Sequence, residues 1–360
     1  MQTLAQCYHQ IAQDPDMWSY YSNPLSVDDA WNEDDKAYDF MKNYFICAGK
    51  GMVFEDDYLT SHKKDIVDRA RHIISTYLLG IKIAECFGID IFTRDLKNMD
   101  KRYYWFLACL YHDIGYAYEN DHNYTNTDKV NRDGFDALRK ICSIKYWDNS
   151  VFGTYNKEVV EFYLKCRAVD PDREGPVIDH GIVGGLLLYD KLRKQFESSW
   201  VNRPNKAEKR ESFQISYDSK PLHLSEDHFP EYAKAADAII AHNIWKDTFR
   251  GYLSTYPPTT ASSSLNINQD IGIDNSICFL LSLADTIEPI KKDKDKNGAI
   301  TLFDIEISGL VDGRGFKLQM NDRIFAKYYS EIKKMESWIE INVDINDSFL
   351  GKKVIQISVK

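Results

Sequence analysis

The chain has 360 residues, 45 Lys+Arg against 55 Asp+Glu, a formal net charge of −10, and 44% hydrophobic against 28% charged residues. That composition supports a full hydrophobic core and excludes disorder as a description of the whole chain. The acidic balance argues against an extended duplex nucleic-acid surface, which needs cations to replace the counterions of phosphate.

No apolar stretch approaches the roughly 18 residues that cross a bilayer. The segment before Lys36 is acidic where a signal or transit peptide is basic, so the expected location is cytoplasmic, without a membrane partner. Residues 1–59 read as an N-terminal helical and loop segment packing on the core. From about residue 64 to 290, apolar residues recur at i, i+3 and i+4, as in Ile66, Ala70, Ile73, Ile74, Tyr77, Leu78 and Ile81, and again in Tyr232, Ala235, Ile239 and Ile240. This spacing predicts helices. Gly88 follows one helix, PDREGP (171–176) precedes another, Pro230 suits a first turn and Pro289 closes a fourth. Two polar stretches, 198–228 and 251–270, offer little apolar surface; loops of that length are often lids or binding loops, or plain solvated excursions. From Ile300 the texture changes: LFDIEISGL, GFKLQM, WIEINVDI and KVIQISV have strand lengths and patterns around a helix near 321–337. The predicted fold class is mainly α, a helical domain over 60–299 with a small C-terminal α+β appendage at 300–360. Seven cysteines, none closer than 23 residues to the next, form no CxxC pair and read as reduced structural thiols.

Chemistry concentrates in histidines and aspartates that interrupt apolar helices. His112-Asp113 ends the run from Trp105 to Tyr111, Asp285 lies inside ICFLLSLAD, and His242 follows Ile239 by three residues on its helix stripe. Burying such groups is costly unless something pairs with them, and a metal resolves all of them together. For His180 a plain core role stays open, since Asp179 can cap a helix and Gly181, Gly184 and Gly185 can serve close packing. His122, with Asn123, reads as a solvated loop residue, and His9, His62, His223 and His228 as surface histidines.

The order His72, His112-Asp113, Asp285, with the phrases YHDIGYA and LADTIE, resembles the HD phosphohydrolase superfamily over roughly residues 60–290. The resemblance implies an all-helical bundle in which His72, His112, Asp113 and Asp285 hold one divalent metal. It further implies that His180 and His242 hold a second, with Asp113 bridging. Imidazole and carboxylate without thiolate suit Mn, Fe, Ni, Co or Zn. Two dications against two aspartates leave two positive charges for a bridging hydroxide and an anionic substrate. His112 and Asp113 are the candidate catalytic residues. Asn243 follows His242 with no Gly-Tyr-Pro after it, which sets the chain apart from the cyclic di-GMP-cleaving branch. Tyr116 stands where many members carry Lys. Arg71, Tyr116, Asn243 and Lys246 are the candidate substrate contacts; Arg69 and Arg250 lie nearby, and each of these cations also reads as an ordinary solvated charge.

The leading expectation is a metal-dependent phosphohydrolase or phosphodiesterase that attacks a nucleotide or other small phosphate ester with metal-activated hydroxide. The same ligand order is similar to that of diiron HD-type oxygenases, which forms the second reading. A non-catalytic regulatory HD module is the third.

Overall fold

The computed structural model describes residues 1–14, 30–47, 63–91, 101–119, 134–142, 160, 163–164, 178–201, 215–217, 220–222, 229–243, 276–290, 302–336, 339–344 and 352–359. The fold is mainly α with a small C-terminal α+β appendage, as the periodicity predicts. Lys246, Arg250, His122 and the 251–270 stretch lie outside the described residues.

The helices are α1 (Leu4–Gln13), α2 (Asp34–Cys47), α3 (Lys63–Phe87), α4 (Lys101–Tyr111), α5 (Tyr116–Glu119), α6 (Gly134–Ile141), α7 (His180–Val201), α8 (Phe229–Ala241), α9 (Ser276–Ile287) and α10 (Asp322–Lys333). Punctuation acts where the sequence puts it: α3 ends one residue before Gly88, Pro230 sits in the first turn of α8, and α9 stops two residues before Pro289. Helix α3 is buried on every side from His72 to Ile81, the signature of a central helix rather than a surface one. It packs against α2, α4 and α9, while α7 lies along α8 and α8 along α9 and α4. The α3–α4 contact is close because Gly80 faces the Trp105 ring, whose Nε1 donates to the Tyr77 carbonyl at 3.0 Å.

The appendage is a five-stranded antiparallel sheet of β1 (Gln2–Thr3), β4 (Ile305–Gly309), β5 (Gly315–Asn321), β6 (Ile339–Asp344) and β7 (Lys352–Val359), in the order β1-β4-β5-β7-β6. Its first strand comes from the other end of the chain: Gln2 pairs with Ile307 and Thr3 with Glu306. Two residues carry no period, so this pairing leaves no trace in the pattern of hydrophobicity. Thr3 also begins α1 with a reciprocal cap, its Oγ1 accepting from Gln6 N at 3.2 Å and its N–H donating to Gln6 Oε1 at 3.0 Å. Along the sheet, Ile305, Ile307, Phe316, Leu318, Met320, Ile355 and Ile357 are buried, alternating with partly exposed positions such as Glu306, Lys317, Gln319 and Gln356. The inner face meets the end of α3 through an edge-to-face contact of Phe87 with Phe316 at 5.8 Å, and Phe87 meets Phe279 of α9 in the same way at 5.1 Å. One continuous hydrophobic cluster thus runs from Leu4 through the helices to Ile357. Inside the polar 198–228 stretch, β2 (Ile215–Tyr217) and β3 (Lys220–Leu222) form a short antiparallel hairpin.

The cysteines whose side chains are described, Cys7, Cys86, Cys109, Cys142 and Cys278, are buried thiols outside any disulfide. Burial pushes the Cys109 thiol well above its usual range, which fits an inert core thiol.

Candidate metal centre

His72 sits in the middle of α3, His112 and Asp113 just past the end of α4, His180 at the first position of α7, His242 just past the end of α8, and Asp285 in the last turn of α9. All six are buried. His72, His112 and Asp113 form one group, and Asp113, His180 and His242 a second; within each, atoms able to bind a metal lie within 4.8 Å of one another. Asp285 completes the first group, its Oδ1 lying 3.2 Å from His72 Nε2 and 3.4 Å from His112 Nε2. Asp113 belongs to both. The structure brings together every metal-ligating residue expected from the sequence.

The chain turns tightly here because two glycines allow it. A Cβ on Gly115 would lie 2.0 Å from the His180 carbonyl oxygen, and one on Gly181 would meet the His242 ring at 2.6 Å. Removing side chains at these positions lets the Asp113 turn, the start of α7 and the end of α8 converge. The close-packing role of Gly181 is therefore real, and it serves the cluster. Asp179 caps α7 as anticipated, accepting from Gly181 N at 2.9 Å and from the Tyr163 hydroxyl at 3.1 Å.

Each of the four imidazoles is held by its outer nitrogen. His72 Nδ1 donates to Glu288 Oε2 at 2.7 Å and His180 Nδ1 to Glu119 Oε2 at 2.7 Å, while His112 Nδ1 donates to the Cys109 carbonyl at 2.5 Å and His242 Nδ1 to the Ile239 carbonyl at 2.6 Å. Carboxylates and carbonyls only accept, so Nδ1 carries a proton in every ring, which leaves Nε2 as the nitrogen able to bind a metal once it carries no proton of its own. Those nitrogens face inward. His72 Nε2 and His112 Nε2 are 3.1 Å apart with the Asp285 and Asp113 carboxylates beside them. Lone pairs and negative charge gathered this closely repel unless a cation lies among them. His72 shows that demand directly. Burial alone would lower its pKa, yet hydrogen bonds to Asp285 and Glu288 and the charges of Glu288 and Asp113 prevail and push it up to about 9. A place that retains a proton so strongly is suited to a divalent ion that displaces it.

The predicted substrate contacts separate. Tyr116 stacks on the His180 ring at 3.6 Å and 15°. Asn243 is buried, its Nδ2 2.8 Å from His180 Nε2 and 3.4 Å from Asp179 Oδ1. Arg71 points elsewhere, donating to the Trp31 carbonyl at 3.0 Å and lying 4.0 Å from Asp34, so it braces α3 against the entry to α2. Among the described residues, Arg69, two residues earlier on α3, reaches the centre: its guanidinium donates to Asp113 Oδ2 at 2.8 Å and covers the Tyr116 ring at 3.6 Å. Lys246 falls outside the described residues.

Sequence reasoning missed Glu119 and Glu288, which read as ordinary acids near helix ends. Both are buried, and Glu288 also accepts from Ile290 N at 2.8 Å. They change the charge balance: against the two dications that the resemblance implies stand four buried carboxylates rather than two, with the Arg69 guanidinium adding one positive charge. Behind Glu288, burial and then its negative charge push the phenols of Tyr8 on α1 and Tyr328 on α10 well above their usual range. Residues from α1 and α10 therefore feel the charge of Glu288 from behind the centre.

No family model, curated protein or solved structure matches this chain. The arrangement stands on its own chemistry as two joined, buried His/Asp clusters that could hold metal ions.

Proposed function

We propose that the chain is a metal-dependent phosphohydrolase of HD type acting on a small phosphate ester, with nucleotides the leading candidates. The observation that carries this reading is the set of four imidazoles, each locked by its outer nitrogen, whose inner nitrogens converge on Asp113 and Asp285. His72, His112, Asp113 and Asp285 would hold one divalent ion and His180, His242 and the shared Asp113 another. Bound there, such ions supply Lewis acidity and bring the pKa of coordinated water toward 7.

The remaining work belongs to the side chains. Asp113 orients both halves at once. Arg69, with its side chain 24% exposed, connects the buried centre to solvent and has N–H groups beyond the one bonded to Asp113 with which to receive an anionic oxygen. Tyr116 fills the space between Arg69 and His180 and keeps water off one face of the imidazole. The Arg69 guanidinium favours an anionic group locally, whereas the global charge of −10 gives no long-range steering of a polyanion. A small substrate held locally follows.

The test is phosphate release from a panel of small nucleotides by Mn-loaded protein under nitrogen. Turnover without oxygen is the expected result. A strict requirement for iron and oxygen would overturn it in favour of diiron oxygenase chemistry, and metal binding without turnover in either regime would favour a regulatory module.

A further inference from the structure

The four imidazoles are anchored in two different ways, and helix geometry explains which is which. His112 and His242 each follow the last residue of a helix, and each donates to the carbonyl three residues back, Cys109 and Ile239. Last-turn carbonyls lack intrahelical partners, so a histidine placed there finds an acceptor in its own helix. His72 and His180 have no such acceptor. His72 is in the interior of α3, where the carbonyls already serve the helix ladder, and its local alternative, the Thr76 hydroxyl, is 3.5 Å away. His180 opens α7, where the backbone presents donors. Each takes a carboxylate from another element: Glu288, 216 residues away beyond α9, and Glu119, 61 residues away on α5.

We propose that Glu288 and Glu119 are matched positioning residues, one for each half of the centre, which fix the tautomer of His72 and His180 and strengthen their inner nitrogens as metal donors. The proposal rests on the metal reading above. Each half then combines one carboxylate-backed and one carbonyl-backed imidazole. A carboxylate accepting the Nδ1 proton draws the ring toward imidazolate character, so its Nε2 donates more strongly. Both acids are themselves pinned: Glu288 by Ile290 N at 2.8 Å, and Glu119 by His180 N at 3.2 Å, at the electropositive start of α7. Burying two carboxylates is unfavourable unless positive charge lies across the ring from each, which is where metals in the two clusters would place it.

The experiment is calorimetric Mn²⁺ titration of the full chain, with elemental analysis of bound metal and ¹⁵N spectra of the histidine rings. Wild type, Glu119→Gln and Glu288→Gln are compared, each also in a His242→Ala background that leaves the His72 half to bind alone. Removing a carboxylate behind a ligating histidine typically weakens metal binding about 10- to 100-fold. In the His242→Ala background, Glu288→Gln should weaken binding by that factor and Glu119→Gln should leave it within about threefold; with His242 present, Glu119→Gln should weaken one binding step only. The ring spectra should show His180 losing its strict Nδ1–H tautomer in Glu119→Gln. If Glu288→Gln does not fold, Glu119→Gln decides alone, as the more peripheral site. Unchanged affinities and tautomers in folded variants of a metal-binding wild type would overturn the positioning role and leave the metal reading intact. A wild type that binds no Mn²⁺ would remove the metal reading, and this proposal with it.

Discussion

The two halves of the centre share Asp113 and differ in readiness. In the His72 half, two imidazole nitrogens and the Asp285 carboxylate meet within 3.4 Å, and the backing Glu288 is wholly inaccessible. In the His180 half, the Asn243 amide already lies 2.8 Å from the nitrogen that would bind metal, and the backing Glu119 comes from a helix of four residues. A metal entering the first half would displace a proton from groups already gathered, whereas one entering the second would first displace the Asn243 hydrogen bond. Order of loading and affinity should therefore differ between halves even though both contain two histidines.

The largest effect should come from the residue that abolishes the comparison. Asp113→Ala removes the carboxylate common to both halves and leaves the Arg69 guanidinium facing ligands without its partner. Phosphate release should fall at least about 100-fold, as when a single electrostatic stabiliser is removed, with metal lost from both halves while circular dichroism stays near wild type. Near-normal turnover in a folded Asp113→Ala protein would break the assignment.

A second test sharpens the contrast through pH. His72 titrates near 6.5 when unfolded and at about 9 when folded. A raised folded pKa stabilises the folded state fully below about 6.5, and that contribution is lost as pH rises through about 9. Melting temperature of the metal-free protein should accordingly fall between pH 7 and 9.5, and His72→Gln should remove that slope. Saturating metal should flatten it too, because the ion replaces the proton. An identical slope in His72→Gln would place its origin elsewhere.

The smallest effect concerns the second half. Asn243→Ala deletes the hydrogen bond that competes with metal at His180. A net hydrogen bond contributes about 1 kcal/mol, so Mn²⁺ affinity of that half should rise about fivefold, with the His72 half unchanged. A fall in affinity would make Asn243 a supporting contact instead of a competitor.

His72 and His180 stood out only through the order of the set; the other four candidate ligands, His112, Asp113, His242 and Asp285, were legible because LYHD, IIAHN and LLSLAD announce polar groups in places that must be buried. The bundle was legible for the same reason, and the appendage because its strands alternate. What stayed hidden depends on the third dimension alone. Glu288 next to Pro289 looks like a charge at a helix end, and Glu119 like an acid in a polar segment; only the arrival of His72 and His180 beside them gives them a task. Arg69 and Arg71 sit two residues apart on one helix, about 200° around the axis, and nothing local to the sequence says which faces the centre. Strand β1 was equally hidden, because its partner lies some 300 residues away.

The separation of 216 residues between His72 and Glu288 also sets a clock. At ordinary synthesis rates of 5–20 residues per second, roughly 10 to 40 s pass between the appearance of the histidine and that of the carboxylate that anchors it. Throughout that interval α3 lacks Asp285, Glu288 and the helix that seals its flank. On the proposed metal reading, a nascent chain would carry His72, His112 and Asp113 as an open, half-formed chelator, and durable metal uptake would begin only once α9 has been made.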